Sequence, residues 1–442
     1  MAQFFKPQRR KVADSRHQAV KIERLDSHGA GIALQKGKPL FIEGALPGEE
    51  VLAQVTEQKR DFGRGKLIKV LKASDARLTP FCEYANRCGG CSLQHMDADK
   101  QREHKQAAMA HLMTRVVSRT SQAAPELAAA ITSAPRGYRR SARLSVWLDK
   151  QQQLQIGFRQ KGSKAVVDIS HCDVLDPQLS ELIPELKALL ISFGQPRALG
   201  HVELIAAENG RVVYLRHTEA LKPAHLDSLL AFAKQHDLLL FHSSDGTTVH
   251  QLHGAASYYV IDGQQIHFLP GDFIQVNAAV NQAMVTQALA WLAPKATDRV
   301  LDLFCGLGNF SLPLAAKVAE VVGVEGVEDM VTRASANAAH NQLSNVHFYQ
   351  ANLEQDWQSQ PWAAQAFDLV LLDPARAGAA GIMSHIVELA PKRVVYVSCN
   401  PATLARDAAA LLDAGYTLDK LGMMDMFPNT GHTESMALFV KV

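Results

Sequence analysis

From about residue 276 onward the chain alternates short apolar runs with amphipathic stretches, and this alternation limits its fold more than any other feature. NQAMVTQALAWLA reads as a helix, RVLDLF as a strand, SLPLAAKVA as a helix and EVVGVEG as a strand. VEDMVTRASANAAHNQ (helix), VHFYQAN and FDLVLLD (strands), GIMSHIVELA (helix), RVVYVSC (strand) and TLARDAAALLDAG (helix) continue the series. The last segment, YTLDKLGMMDMFPNTGHTESMALFVKV, reads as a closing hairpin. Strand and helix in turn at this spacing dictate a doubly wound, mostly parallel sheet, an α/β Rossmann-like domain. Such sheets bind ligands at the carboxyl ends of their strands, so the loops after each strand are the places to search.

The first of these loops is rich in glycine. LDLFCGLGNFSL joins a strand to a helix through Gly306 and Gly308. A lone GxG is a weak signal. A dinucleotide fingerprint wants a third small residue three positions after Gly308, and Ser311 is small enough, so NAD is not excluded on this test. Glu325 ends the next strand and fits a ribose-hydroxyl partner for either ligand. A nicotinamide enzyme needs a hydride-acceptor site, and nothing further along the chain calls for one. DLFCGLGNFSL, a strand ending in VEG, then QAN and LLDPAR resemble the S-adenosylmethionine (SAM) methyltransferase fold. That resemblance implies backbone approach to SAM at Gly306 and Gly308, ribose contact at Glu325 and an adenine neighbour at Asn352.

Three reactive residues belong to the same edge. Asp373 ends the strand of LLDPAR, Cys399 ends that of VVYVSCNP, and Glu434 lies in GHTESM. Singly, each has a bland explanation: a packed thiol, a helix cap, a surface carboxylate. Together with SAM they fit methylation of a pyrimidine at C5, a carbon that is a poor nucleophile. A thiolate adding to C6 makes an enolate, C5 then takes the methyl group, and a base removes the C5 proton so that the thiolate leaves. Cys399 suits the first role and Glu434 the last. A thiolate near neutral pH predicts polar or positive surroundings for Cys399. Cys305, in the glycine loop, reads as packing.

Upstream, residues 17–72 alternate apolar runs with turns punctuated by Gly29, Gly31, Gly37, Gly44 and Gly48, which predicts a small, OB-like β-barrel over 17–75. Residues 1–16 read as a basic arm. The segment 76–275 mixes strands and helices, an α+β domain, and 276–442 is the Rossmann-like domain. Net charge is +2, yet residues 1–72 hold fifteen Lys/Arg against eight Asp/Glu, and 133–164 hold eight against Asp149 alone. Two basic segments on an otherwise acidic chain point to a polyanion. Arg136, Arg139, Arg140 and Arg143, interleaved with Tyr138, and Phe158 with Arg159 on the next strand, are candidate phosphate and base contacts. The start, MAQFFKPQRRK, lacks the apolar core of a signal peptide and no apolar run would span a bilayer, so a cytoplasmic protein is expected.

Six cysteines are too few for a disulfide framework in a chain of 442 residues. Cys82, Cys88 and Cys91 have the spacing C-x5-C-x2-C, and 80 residues separate Cys91 from Cys172. Four thiolates at this spacing suit zinc or an iron–sulfur cluster equally.

The order FIQVN, DLFCGLGNFSL, LLDPAR, SCNPATLARD and HTES is similar to that of the uracil-C5 RNA methyltransferase family, from about residue 270 to the end. The resemblance implies Cys399 as nucleophile and Glu434 as base. It implies SAM contacts at Gln275, Phe304, Asn309, Glu325, Asn352 and Asp373. Members acting on tRNA lack both barrel and cysteine cluster, and one rRNA branch has the cluster alone. Possession of both resembles the branch acting on 23S rRNA, whose barrel is called a TRAM domain. It further implies a [4Fe-4S] cluster on Cys82, Cys88, Cys91 and Cys172, and a 23S rRNA partner. We expect a monomer with neither DNA nor membrane as partner. A tRNA methyltransferase and a non-catalytic RNA-binding assembly factor are the competing readings.

Overall fold

The computed structural model describes residues 16–355 and 357–441. The basic arm read at 1–16 lies outside the described residues apart from Arg16. The chain divides into two compact units. Among the described residues, the first holds 16–85, 90–105 and 429–431, and the second holds 86–89, 106–355, 357–428 and 432–441.

In the first unit, six strands (His17–Lys21, Arg24–Leu25, Gly31–Gln35, Lys38–Glu43, Glu50–Gln58 and Gly63–Lys72) form one sheet. His17–Lys21 pairs with Glu50–Gln58, while Arg24–Leu25, two residues further on, pairs with Gly31–Gln35. One stretch of chain therefore joins both ends of the sheet and closes it into the expected barrel. Strand Glu50–Gln58 alternates buried Val51, Ala53 and Val55 with outward residues, the period-2 pattern of a strand with one face on a core. Ile22, Leu40 and Ile42 fill the interior with them. Each such side chain contributes roughly 1.5–3 kcal/mol on full burial.

The second unit holds two large sheets. One is seven-stranded, in the order Val166–Asp168, Leu154–Arg159, Ser141–Leu148, Leu199–Ala207, Gly210–His217, Leu238–Ser243, His250–His253. Helices Leu182–Ser192 and Pro223–Gln235 accompany it, and a ribbon of Tyr258–Ile261 and Gln264–His267 follows.

The other sheet carries the site. Its order is Val346–Gln350, Glu320–Glu325, Arg299–Leu303, Leu369–Leu372, Arg393–Ser398, Glu434–Lys441, Tyr416–Met424, Glu126–Leu127. The first five strands are parallel and the closing hairpin is antiparallel. The chain leaves Arg299–Leu303 in one direction and returns to its other side at Leu369–Leu372, so the topological switch lies between these two strands. Successive residues alternate between two cores, Val395 and Val397 on one face and Val394 and Tyr396 on the other. Burial on both faces explains why these strands read as unbroken apolar runs. Met109, Met113 and Val117, from the long helix Ala98–Val117, pack into the second of these cores, and Glu126–Leu127 extends the sheet edge. No helix among the described residues is long and apolar enough to cross a membrane.

Candidate active site

Cys399 follows the last residue of strand Arg393–Ser398 and precedes helix Pro401–Asp413. Asn400 caps that helix, its Oδ1 accepting from Ala402 N at 3.1 Å, and Pro401 takes the first helical position, where its missing N–H costs nothing. The cap also holds the neighbouring loop, since Asn400 Nδ2 donates to Arg376 O at 3.1 Å. Across the sheet, Ser398 is the register partner of Ser435. The next position outward places Cys399 opposite Glu434. Ser435 Oγ donates to Ser398 O at 3.3 Å and ties the pair of strands at this point.

Asp373 follows strand Leu369–Leu372, with its N–H donating to Leu303 O at 3.3 Å. Its Oδ2 accepts from Gln275 Nε2 at 3.5 Å, a long bond. Cys399, Glu434 and Asp373 are close enough to act on one another electrostatically. Burial pushes the Glu434 carboxyl up to about 8, with the Asp373 charge adding to it. Burial pushes Asp373 up to about 7. Burial, then Glu434 and Asp373, push the Cys399 thiol up to about 11, while the Arg376 guanidinium opposes them. The polar or positive surroundings expected for Cys399 are two carboxyls and one arginine, polar but not dominated by positive charge. The cause is geometric: a parallel-sheet edge gathers strand-end acids whatever the thiol needs.

Arg376 is the site residue that sequence reasoning missed. Its motif, LLDPAR, was in view, but only the fold brings residue 376 beside residue 399. Asp302 was also missed. It is fully buried under the glycine loop, accepts from Ser311 Oγ, and is pushed up to about 7 by burial.

The glycine loop has the shape that a bound cofactor requires. Gly306 adopts φ 56°, and a Cβ there would meet just Met330 Cε at 3.5 Å, so the loop backbone borders open space. A Cβ on Gly326 would meet nothing nearer than Ala351 O at 3.9 Å. Phe304 holds φ 63°, a left-handed conformation that a non-glycine residue adopts at a cost. Glu325 accepts from the N–H of Gly306 (3.1 Å), Gly326 (2.8 Å) and Val327 (3.1 Å) and keeps lone pairs for a hydroxyl. Asn309 is held by a reciprocal amide pair with Asn281, at 3.0 Å each way, and by Tyr259 Oη at 3.1 Å. Asn352 is exposed after strand Val346–Gln350, with its Oδ1 accepting from Glu354 N at 3.0 Å. Cys305 is buried under Gly323, as its packing role predicts.

The upstream cysteines are each partly exposed. Cys82 and Cys91 belong to the first unit, Cys88 and Cys172 to the second. Cys172 N–H donates to Ser180 Oγ at 2.8 Å, and its thiol is pushed up by burial and then by the nearby Cys88. That electrostatic pair fits metal-ligand chemistry. Among the described residues, however, no group of three or more His, Cys, Asp or Glu side chains is gathered as a metal site.

One basic residue is corrected. Arg140 is buried, donates from Nε to Gln275 O at 2.8 Å and lies 4.5 Å over the Tyr259 ring. It positions the Gln275 segment and does not lie on the open surface with its basic neighbours. Arg136, Arg143 and Arg159 remain exposed, Arg159 lying 5.8 Å over the ring of Trp147.

Comparison with known proteins agrees with this geometry. The family profile described as tRNA (Uracil-5-)-methyltransferase matches residues 97–442, and the TRAM domain matches 15–68. The chain belongs to the uracil-C5 RNA methyltransferase family. It is 54% identical, over the full length of both chains, to a Vibrio cholerae protein named 23S rRNA (uracil(1939)-C(5))-methyltransferase RlmD. A Photobacterium profundum protein of the same name is 49% identical, over 100% of this chain and 97% of that one. A solved Pyrococcus abyssi tRNA (uracil-54, C5)-methyltransferase, in complex with S-adenosyl-L-homocysteine, superposes with a TM-score of 0.74 at 22% identity. It covers 96% of this chain and all of that one, and shows that the fold is shared. The expected methyltransferase fold with an N-terminal TRAM barrel is thus borne out.

Proposed function

We propose that this chain uses SAM to methylate C5 of a uridine in 23S rRNA, giving 5-methyluridine. The opposition of Cys399 and Glu434 across one strand register carries the reading. The full-length relatives named for that activity supply the substrate class.

The Cys399 thiol loses its proton to solvent, the thiolate bonds to C6 of the uracil, and the ring electrons move to an enolate with carbon nucleophilicity at C5. SAM, when bound, supplies the methyl group that C5 takes. The Glu434 carboxylate then removes the proton from C5. The released electron pair restores the C5–C6 double bond and expels the sulfur from C6 as a thiolate. Arg376 lowers the thiol and the Glu434 carboxyl together, so it favours the charged forms both steps require. In this reading Gln275, Phe304, Asn309, Glu325, Asn352 and Asp373 hold SAM.

The same proposal gives Cys82, Cys88, Cys91 and Cys172 to a [4Fe-4S] cluster of structural role, supported by the Cys88–Cys172 pair, the absence of disulfides among the described residues and the family resemblance. It divides the chain at 17–75, 76–275 and 276–442, and has it work as a cytoplasmic monomer on RNA rather than DNA.

The test is product analysis. Protein, methyl-labelled SAM and unmodified 23S rRNA should give labelled 5-methyluridine at one position. Label in tRNA transcripts and none in 23S rRNA would move the substrate to tRNA. No label in either would leave an assembly factor.

A further inference from the structure

A cavity of about 390 Å³ opens beside the start of helix Ala278–Leu292, its lining does not include Cys399, and the function proposed above gives it no role. Ala278 and Ala279, the first residues of that 15-residue helix, line it together with Tyr138, Arg136 and Arg140. The backbone brings these groups together: Arg140 N–H donates to Val276 O at 2.8 Å, and Arg139 bridges to Asn277.

Two independent features of this cavity favour an anion. The first is the helix start. Asn277 Oδ1 accepts from Val280 N at 3.2 Å, which leaves the N–H groups of Ala278 and Ala279 at the positive end of the helix dipole. The second is Arg140. More than nine-tenths of it is buried, and its Nη2 has no hydrogen-bond partner among the described residues. A buried cation with an unmet donor is costly unless an acceptor completes it. Two acids also line the cavity. Asp176 already accepts from the N–H of Gln178 (2.9 Å) and Leu179 (3.4 Å), and Glu208 is exposed.

We propose that this cavity is a phosphate subsite that takes one backbone phosphodiester of the RNA substrate. A helix N-terminus with a guanidinium beside it is a standard anion cradle. The inference rests on the RNA substrate proposed above. A phosphodiester held here lies on the far side of Gln275 from Asp373, because Gln275 accepts from Arg140 through its carbonyl and donates to Asp373 through its side chain. The subsite would therefore grip the strand at a distance from the reacting uridine.

Ala279→Glu tests this. Residue 279 is exposed in the first helical turn, where an acid favours the helix, so folding is retained while a negative charge enters the cavity. Binding of a 23S rRNA fragment is measured across a salt series, with SAM binding as control. The expected result is affinity down about tenfold, a salt slope reduced by about one, and unchanged SAM affinity. Wild-type affinity and slope in the variant would overturn the subsite. Inorganic phosphate forms the second arm. Protection of wild type, and not the variant, against heat by millimolar phosphate supports an anion site. Such protection combined with unchanged RNA affinity in the variant assigns the cavity to free phosphate and overturns the RNA reading. Wild type that never binds the rRNA overturns the proposed function, and this subsite with it.

Discussion

Cys399 and Glu434 stand one position beyond the Ser398–Ser435 pair of an antiparallel ladder, so a nucleophile and a base face each other from the ends of two adjacent strands. The ladder fixes their separation. Asp373, from the next strand, completes a group of three acids that repel one another. Each holds its proton to a higher pH than it would in water, and this sets how the enzyme should respond to pH.

The rate should rise with pH through the neutral range. Glu434 must be ionised to act as base, and its carboxyl is pushed up to about 8, so it is mostly protonated at pH 6.5. The thiol, at about 11, changes in the same direction. Measured at limiting RNA, kcat/KM should climb from pH 6.5 to 9. A flat or falling profile contradicts these surroundings.

Glu434→Gln should stabilise the fold at alkaline pH. A carboxyl whose folded value lies above its unfolded value binds more protons when folded, so stability falls as pH rises from about 4.5 toward 8. The amide removes that loss. The variant should melt above wild type at pH 8.5, with the difference shrinking toward pH 5. Equal melting temperatures across that range would show that Glu434 is solvated in the folded protein.

Replacing Arg140 should cost stability in addition to any RNA affinity. Arg140→Leu removes the donor to Gln275 O and leaves that half-buried acceptor without its partner, a loss of about 0.5–1.5 kcal/mol. SAM affinity should fall as well, since Gln275 loses its anchor. Arg136→Glu, on an exposed residue, should leave SAM affinity unchanged and weaken RNA binding. Denaturant titration measures the cost at Arg140, and SAM calorimetry separates the two variants.

The cluster claim is decided by metal analysis. Anaerobically purified protein should carry iron and acid-labile sulfide near four of each per chain, and Cys172→Ser should lose most of both. Zinc in place of iron would refute the [4Fe-4S] reading and keep a metal site.

Much of this molecule was legible in its sequence, and the reasons are local. Val394–Val397 and Leu369–Leu372 are buried on both faces, so their apolar runs announced parallel strands. Strand ends then named Asp373, Glu325 and Cys399, because the parallel sheet delivers every carboxyl end to one edge. What stayed hidden depends on distant partners. Glu126–Leu127 is two exposed residues that become a strand by pairing with Lys420 and Leu421. Arg140 looked like its basic neighbours because composition carries no burial. Arg376 needed the Asn400 cap to bring its loop to Cys399. The raised thiol was unforeseen because its largest cause is burial, which the sequence does not carry, although both acids that add to it were already placed at the same edge.

The central claim is that Cys399 forms a covalent bond to the target uridine. Fluorine at C5 cannot leave as a proton does, so rRNA carrying 5-fluorouridine should trap the enzyme after methyl transfer. Wild type with SAM should give a denaturation-resistant protein–RNA adduct whose peptide map ends on Cys399, and Cys399→Ala should give none. Adduct formation by Cys399→Ala, or none by active wild type, would contradict the account.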